Sequence, residues 1–276
     1  MCNQFIQTET LMFESHRIPY KSSALPVHGA KAVLVVAPHP DDEVFGCGGC
    51  AALYAIAGVP VHVLVLTDGG FGGIAGAGED LVVTRYQEVV RAGEILGYEK
   101  PIFANHQDRS LQQSIPAVVD LIIQQLKLTG ADVLFAPSLW EIHPDHHAAA
   151  VAALQAIKSM EHRCTLVQYE VGAPLLPNKL VDITSVLAKK QQAMECFVSQ
   201  LAVQAYDRHI NSLNVFRTYT LGFAVQSAEG VRVATFVEAE NDPYGLTFEG
   251  NLHPVKTCLP LFPESLPWYK KLFTLW

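Results

Sequence analysis

The stretch AVLVVAPHPDDEVFGCGGCAALYAIA, residues 32–57, joins an apolar, β-branched run to a helical pattern through a short polar loop. A strand that is buried on both faces of a parallel sheet has such a continuous apolar run. The loop holds His39 and three consecutive acidic residues at positions 41–43, which is more charge than an ordinary turn requires. The stretch therefore predicts a buried strand, a loop that carries chemistry, and a helix.

Further apolar runs follow along the chain, separated by segments with helical periodicity. The runs lie at residues 61–66, 101–104, 131–136 and 164–169, and the helical segments at 44–57, 80–96, 114–128 and 146–158. Strands that alternate with helices of this length predict a parallel sheet covered by helices. We therefore expect an α/β fold with a Rossmann-like parallel sheet, in the order 3-2-1-4-5 when the strands are numbered along the chain.

After about residue 172 this alternation weakens. A helical stretch near residues 185–201 and strands near 219–226 and 231–237 predict a C-terminal α+β extension. We expect an N-terminal extension over residues 1–30, a Rossmann-like catalytic core over 31–172, and a C-terminal accessory part of the same domain over 173–276.

The composition argues against several classes of partner. A net charge of −8 does not suit a nucleic-acid partner, which calls for a basic surface. No apolar run approaches the ~18 residues of a membrane span, and residues 1–30 lack the pattern of a signal peptide. We therefore expect a cytoplasmic protein. We expect the aromatic tail, residues 264–276, to pack on the protein or on a neighbouring subunit of a homo-oligomer, with contact to a membrane surface as the alternative.

Two motifs rich in metal-binding side chains follow predicted strands. PHPDDE, residues 38–43, follows the first strand, and HPDHH, residues 143–147, follows the fourth and begins a helix. In the expected order these strands are neighbours at the point where the strand order reverses, which is where open parallel sheets bind ligands. Each motif alone also fits a turn with a capping aspartate. Together, at equivalent strand ends, they predict one metal site.

The metal site is expected to use His39, Asp42 and His146 as ligands. Two imidazoles and a carboxylate leave coordination positions open for water and substrate, as a catalytic site requires. The set suits Zn²⁺, and also Fe²⁺ or another divalent metal. Asp41 stands beside a ligand and is a candidate general base, which favours hydrolysis over redox chemistry.

The second motif adds two candidate catalytic residues. His143 could donate a hydrogen bond to the oxygen charge that develops during hydrolysis. Asp145 could orient His143 through its second ring nitrogen. His147 points about 100° away from His146 on a helix, so we expect it on the helix surface or behind the site.

The motifs APHPDDEVFGCGG and HPDHHAA resemble the two signatures of the PIG-L/LmbE-like N-deacetylases, zinc enzymes that remove acetyl groups from N-acetylglucosamine-type sugars. The similarity covers roughly residues 30–200 and includes LTDGG at 66–70, TRYQEVVRAGEILG at 84–97, DRSL at 108–111 and, more weakly, VDITSVLAKKQQAMECFVSQL at 181–201. The resemblance implies His39, Asp42 and His146 as zinc ligands, Asp41 as general base, and His143 with Asp145 at the tetrahedral intermediate.

The resemblance also suggests residues that bind substrate. Arg85 matches an arginine that helps to hold substrate in the family, although an exposed helix arginine paired with Glu88 is the alternative. Asp68 stands near the position of a family acidic residue and either replaces it or shapes the turn. Glu141 stands where some members have a tyrosine. A carboxylate cannot stabilise an oxyanion, so Glu141 is instead expected to bind a cationic or hydroxylated part of the substrate.

The expected function is metal-dependent removal of the N-acetyl group from an N-acetylglucosamine-type sugar or glycoconjugate, with release of acetate. One alternative is an amidase that cleaves a larger N-acyl or thiol conjugate of a sugar. Another is a non-catalytic or redox binding protein that uses Cys47 and Cys50, which have redox-motif spacing. The loop at residues 67–80 has six glycines in fourteen residues and is expected to form a lid or a rim of the site, with a disordered surface loop as the alternative.

Overall fold

Residues 33–37, the apolar run that opens the first motif, form a strand that is buried along its whole length and lies inside the sheet. The structure, a computed structural model, describes residues 22–73, 78–160, 164–241 and 243–244. The strands of its sheet are β1 Ser22–Ser23, β2 Val33–Ala37, β3 Val61–Thr67, β4 Ile102–His106, β5 Val133–Pro137, β6 Thr165–Tyr169, β7 Lys179–Asp182 and β8 Ala228–Ala234.

The strand order is β1-β7-β8-β6-β5-β2-β3-β4. The five strands from β6 to β4 pair in parallel, so the predicted order 3-2-1-4-5 is confirmed. In this register Val33 of β2 lies opposite Val61 of β3 and Val133 of β5. Strands β2 and β5 are therefore neighbours, and the loops that follow them leave the same edge of the sheet.

Helices cover both faces of the parallel strands, as the continuous apolar runs require. They are α1 Asp42–Ile56, α2 Glu79–Leu96, α3 Ile115–Thr129, α4 Pro144–Ser159, α5 Leu187–Met194, α6 Val198–Leu201, α7 Tyr206–Phe216 and α8 Phe236–Asn241, with 3₁₀ turns at Leu111–Gln113 and Thr184–Val186. Alternate residues of β2 enter two separate cores. Val33 and Val35 pack with α1, α2 and α5, whereas Leu34 and Val36 pack with α3 and α4.

The C-terminal extension is where the sequence predictions need correction. Residues 219–226 form turns instead of the predicted strand, and Phe223 is fully exposed, because these apolar residues do not face a core. The strand predicted at 231–237 is β8, which begins at Ala228 and ends at Ala234. It runs antiparallel between β6 and β7, so the sheet is only partly parallel. The helix predicted at 185–201 is interrupted between α5 and α6.

The predicted division into parts at residues 30 and 172 stays a prediction. Within the described chain, β7 and β8 complete the sheet that the parallel strands begin. Among the described residues, no helix combines the length and the apolar character that crossing a membrane demands. The aromatic tail at 264–276 lies outside the described residues, so its expected packing stays a prediction, as do the homo-oligomer and the cytoplasmic location.

Candidate metal centre and catalytic cleft

Two loops meet at the carboxyl edge of the parallel sheet. One follows β2 and begins α1, and the other follows β5 and begins α4. Because β2 and β5 pair directly, these loops bring together side chains that are 107 positions apart in sequence. His39 from the first loop and His146 from the first turn of α4 have ring nitrogens 3.1 Å apart.

Three donor atoms form a nearly equilateral triangle at this edge. His39 Nδ1 lies 3.2 Å from Asp42 Oδ2 and 3.1 Å from His146 Nε2. His146 Nε2 lies 3.1 Å from the same oxygen of Asp42. Ligand atoms about 2.1 Å from a tetrahedral or octahedral metal are separated by roughly 3–3.4 Å, so this triangle fits one divalent cation.

The outer nitrogens of both imidazoles face carboxylates. His39 Nε2 lies 3.3 Å from Asp108 Oδ1 and 3.3 Å from Asp145 Oδ2, and His146 Nδ1 lies 3.1 Å from Glu141 Oε2. Metal-binding histidines commonly donate their other N–H to a carboxylate, which fixes the ring and its tautomer. The arrangement turns His39 Nδ1 and His146 Nε2 toward the centre.

Two wider clusters share His39 with this triangle. Ligand atoms of His39, His143 and His146 lie within 4.8 Å of one another, and so do those of His39, Asp108 and Asp145. The tighter triangle with Asp42 is the better candidate for a metal. Asp145 Oδ1 and Oδ2 already accept hydrogen bonds from the backbone N–H groups of Leu111 and Arg109.

Asp41 is held by Arg85 at the side of the triangle. Arg85 Nη2 donates to Asp41 Oδ2 at 2.9 Å and to Pro40 O at 2.8 Å, and Arg85 Nη1 donates to Gly69 O at 2.9 Å. Burial raises the pKa of Asp41, and the positive charge of Arg85 opposes that rise. The sequence did not predict this ion pair.

Arg85 itself is buried, with 2% of its surface exposed. It is therefore not the exposed helix arginine of the alternative interpretation, and Glu88 accepts hydrogen bonds from Ser199 instead. Direct contact between Arg85 and substrate stays a prediction. Its side chain lines the cavity, and its Nε has no hydrogen-bond partner among the described residues.

His143 lies at the mouth of the site, half-buried, with Nδ1 accepting from the Asp145 N–H at 3.2 Å. When Nδ1 of a neutral imidazole accepts, Nε2 carries the proton and can donate. Burial lowers the pKa of His143 from its usual value, which favours the neutral form. The described contact that orients His143 comes from the Asp145 backbone, whereas the predicted contact was with the Asp145 carboxylate.

Two predicted substrate contacts have other partners in the structure. Glu141 accepts from the N–H groups of Val171 and Gly172 and faces His146, with its side chain fully buried. Asp68 Oδ1 accepts from the N–H groups of Gly70 and Asp108, contacts that shape the turn. Contact of Glu141 or Asp68 with substrate stays a prediction. In the described geometry, the Glu141 carboxylate faces His146 Nδ1 and fixes the orientation of that ring.

A cavity of about 500 Å³ opens beside the triangle. His39, Asp41, Asp42, His143 and His146 line it together with residues to which the sequence analysis gave no individual role, namely Phe71, Asp108, Arg109, Gln200, Tyr206 and His209. Asp108 lies in the DRSL motif, so the resemblance to the family could have marked it as a site residue. Gln200 lies in the more weakly similar stretch 181–201, whereas Tyr206 and His209 follow it in a part of the chain where no motif marks them.

The Cys47–Cys50 pair lies in the interior, and neither residue is exposed. Burial, together with the charge of Glu229, raises the pKa of both thiols well above the usual value. A reactive cysteine needs the opposite, a lowered pKa and solvent access. The burial and the raised pKa of both thiols therefore argue against a redox role for this motif.

The glycines of the motif have a packing role. A Cβ on Gly49 would lie 2.6 Å from Ile183 Cγ2, and a Cβ on Gly46 would lie 2.4 Å from the ring of Tyr169. Helix α1 is also broken at Cys47, where φ is −141°. The glycines of GCGG thus allow the kinked helix α1 to pack closely against Tyr169 of β6 and against Ile183.

Comparison with known proteins adds independent information. Residues 34–157 match the family described as PIG-L, GlcNAc-PI de-N-acetylase. The chain is 29% identical over 229 residues to diacetylchitobiose deacetylase of Thermococcus kodakarensis, covering 75% of this chain and 84% of that protein. It is 28% identical over 189 residues to a probable N-acetyl-alpha-D-glucosaminyl L-malate deacetylase 2 of Bacillus anthracis, covering 62% and 82%. The structure is similar to that of N,N'-diacetylchitobiose deacetylase from Pyrococcus horikoshii with its inhibitor MPG, with a TM-score of 0.70, 25% identity, and coverage of 86% and 93%.

Proposed function

We propose that this protein is a metal-dependent deacetylase of N-acetylglucosamine-type sugars or glycoconjugates, because residues 34–157 match the PIG-L family, described as GlcNAc-PI de-N-acetylase. The reaction is hydrolysis of the acetamide, which yields acetate and a free amine. The chain covers 84% of diacetylchitobiose deacetylase and 82% of the probable N-acetyl-alpha-D-glucosaminyl L-malate deacetylase 2, which supports this proposal.

One observation carries the proposal. The triangle of His39 Nδ1, Asp42 Oδ2 and His146 Nε2 faces a cavity whose wall also contains Asp41 and His143. A metal-dependent amide hydrolase needs open coordination positions, a base for water and a donor for the oxyanion. All three requirements are met by residues that line the same cavity.

The resident metal is proposed to be Zn²⁺, because two imidazoles and one carboxylate are ligands that zinc accepts with positions left open. Fe²⁺ is compatible with the same ligands. When bound, the metal acts as a Lewis acid toward the acetyl carbonyl and makes a water molecule more acidic. The carboxylates behind His39 and His146 would hold the two rings in the orientation that the metal requires.

Asp41 is proposed to act as the general base. Arg85 holds its Oδ2, whereas no described group donates a hydrogen bond to its Oδ1. Oδ1 can therefore accept a proton as the water oxygen attacks the acetyl carbon. The same proton then passes to the amide nitrogen, the carbon–nitrogen bond breaks, and acetate and the amine leave.

His143 is proposed to stabilise the tetrahedral adduct. The Asp145 N–H occupies its Nδ1, so Nε2 carries the proton and donates to the oxygen that gains charge. Asp145 is a positioning residue in this scheme, because its backbone fixes His143 and its carboxylate faces His39.

A direct test is acetate release by the zinc-reconstituted protein. Free N-acetylglucosamine, diacetylchitobiose and N-acetylglucosaminyl malate would be supplied as substrates, with the Asp41→Asn variant as control. The proposal expects acetate and the free amine from at least one substrate, and a strong loss in the variant. If N-acetyl sugars are untouched while sugars with longer N-acyl groups are cleaved, the amidase alternative replaces it.

A further inference from the structure

Asp41 has an unusual backbone conformation for the residue that precedes a helix. Its φ is 148° and its ψ is −29°, a region that residues with a side chain rarely adopt. Strained conformations of this kind persist only where neighbouring groups hold them, and they cluster at functional sites. The contacts around Asp41 should therefore include the groups that hold it.

Asp41 also does not do what an aspartate at this position normally does. An aspartate at the N-cap usually has an extended backbone, and its carboxylate accepts from N–H groups in the first turn. The Asp41 side chain makes no capping hydrogen bond to α1. Its carboxylate turns instead toward Arg85 and the cavity. The strained backbone thus keeps the carboxylate available for chemistry.

The backbone of Asp41 is held by Glu43. The Asp41 N–H donates to Glu43 Oε2 at 3.0 Å, and Glu43 is 1% exposed. The other oxygen, Glu43 Oε1, lies 3.3 Å from the hydroxyl of Tyr98, which donates to Val89 O at 2.8 Å. The Glu43 carboxyl therefore lies between the Asp41 N–H and a buried tyrosine.

Arg85 provides the second contact that fixes this turn. One of its nitrogens donates both to Pro40 O and to Asp41 Oδ2. Gly69 leaves room for the guanidinium, because a Cβ there would lie 2.5 Å from Arg85 Nη1. Glu43 thus holds the backbone of Asp41, while Arg85 holds its carboxylate and the preceding carbonyl.

We propose that Glu43 is a positioning residue for the base: by accepting the Asp41 N–H it prevents the Asp41 carboxylate from turning back to cap helix α1. This inference rests on the proposed role of Asp41 as the base. Without Glu43, the backbone of Asp41 relaxes to the extended conformation of an ordinary N-cap. Its carboxylate then satisfies N–H groups at the start of α1 and no longer faces the attacking water.

A purely structural role for Glu43 makes a different prediction. An acidic side chain that reaches back to the N-cap N–H resembles a capping box, which stabilises the start of a helix. Loss of such a contact would lower the thermal stability and leave kcat of the folded protein unchanged. Loss of a positioning contact lowers kcat of a protein that is folded, binds metal and binds substrate.

The test compares Glu43→Met, Glu43→Gln and the control Tyr98→Phe, each with its metal content measured. Methionine has similar length but cannot accept the Asp41 N–H, whereas glutamine can. Tyr98→Phe removes the contact to the other oxygen of Glu43 and the hydrogen bond to Val89 O, and it leaves the Asp41 N–H contact in place. We expect kcat to fall about 100-fold in Glu43→Met with KM within about 3-fold, because a positioned base contributes roughly 10²–10⁴-fold. Glu43→Gln should restore kcat to within about 5-fold of the wild type, and Tyr98→Phe should stay within about 3-fold.

A crystal structure of Glu43→Met gives a readout that does not depend on activity. The proposal expects a negative φ at Asp41 and a carboxylate directed at the start of α1. An Asp41 that keeps its φ near 148°, or equal kcat in the methionine and glutamine variants, overturns it. If Glu43→Met does not fold, Glu43→Asp replaces it, since the shorter side chain cannot reach the same N–H. Failure of the wild type to release acetate would refute the proposed function, whereas the Asp41 conformation in the variant would still decide this inference.

Discussion

Lys190 and Glu229 form a completely buried ion pair, with Lys190 Nζ 2.7 Å from Glu229 Oε1. Glu229 also accepts the N–H groups of Gly49 and Cys50, which follow the break in helix α1. These N–H groups have lost their helical partners, and the carboxylate replaces them. The pair therefore joins strand β8 and helix α5 to the helix whose first residue is Asp42.

We expect Lys190→Met to destabilise the fold strongly. The substitution leaves the Glu229 carboxylate buried without its cation, and breaking such a pair costs about 3–5 kcal/mol of unfolding free energy. Denaturant unfolding of the variant would measure this. Lys189→Met, on the exposed side of the same helix, is the matched control and should change stability by less than about 0.5 kcal/mol. Equal free energies of unfolding in the two variants would mean that the buried ion pair does not stabilise the fold.

A second prediction concerns Gly49. In Gly49→Ala the new Cβ would meet Ile183 Cγ2 at 2.6 Å and Glu229 Oε1 at 2.8 Å, and both neighbours are buried. Overpacking of this kind costs about 1–3 kcal/mol, more than the gain from replacing a helical glycine. Gly222→Ala has nothing within 4 Å of the new Cβ and serves as control. A thermal melt in which both variants match the wild type would contradict the close approach.

The parallel core could be predicted because its signal is local. Each β-branched run predicts a buried strand, the alternation with helices predicts parallel pairing, and the topology rule for open sheets gives the order. The meeting of His39 and His146 follows from that order. The prediction of a strand at residues 219–226 was wrong, because an apolar pattern does not show whether those side chains face a hydrophobic core.

The contacts around the triangle of His39, Asp42 and His146 could not be predicted from the spacing of residues in the sequence. Glu141 behind His146 and Asp108 behind His39 depend on how loops fold over the sheet edge, and one sequence carries no signal for such contacts. The burial of Arg85 against Asp41 likewise depends on the turn at Gly69, which the motif alone does not reveal. Local pattern therefore predicts which residues approach the site, and tertiary packing decides what each one contacts.

Glu141 provides a third prediction, because its carboxylate holds the outer nitrogen of His146 at 3.1 Å. Glu141→Gln should weaken metal binding or activity by about 10–100-fold, the usual effect of losing such a partner. Competition with a zinc chelator would measure the affinity. Glu94→Gln, exposed on helix α2, is the control and should bind metal like the wild type. A substrate-binding role alone would instead raise KM and leave metal affinity unchanged.

The buried thiols lead to a prediction about pH. Burial raises the pKa of Cys47 and Cys50, so at any pH below the raised value they hold less thiolate than a free cysteine, whose pKa is about 8.5. Burial also raises the pKa of Cys196, but this residue is partly exposed, so a thiol reagent between about pH 7 and pH 9 should label it faster than either buried cysteine. Mass spectrometry of labelled peptides gives the site-specific rates. Labelling of Cys47 or Cys50 faster than Cys196 in the native protein would support a redox role for the pair.

One pair of variants can distinguish the proposed metal ligands from the proposed general base. His146→Ala removes a corner of the triangle and should lose the metal, because two remaining ligands hold a divalent cation weakly. Asp41→Asn keeps a partner for Arg85 and leaves the triangle intact, so it should retain the metal while turnover falls by about 10²–10⁴-fold. His147→Ala, next to the ligand on the same helix, is the control and should match the wild type in both measurements. Metal analysis by plasma mass spectrometry, together with acetate release, would check all three. Wild-type metal content in His146→Ala would show that His146 is not a metal ligand. Wild-type turnover in Asp41→Asn would show that another residue acts as the general base.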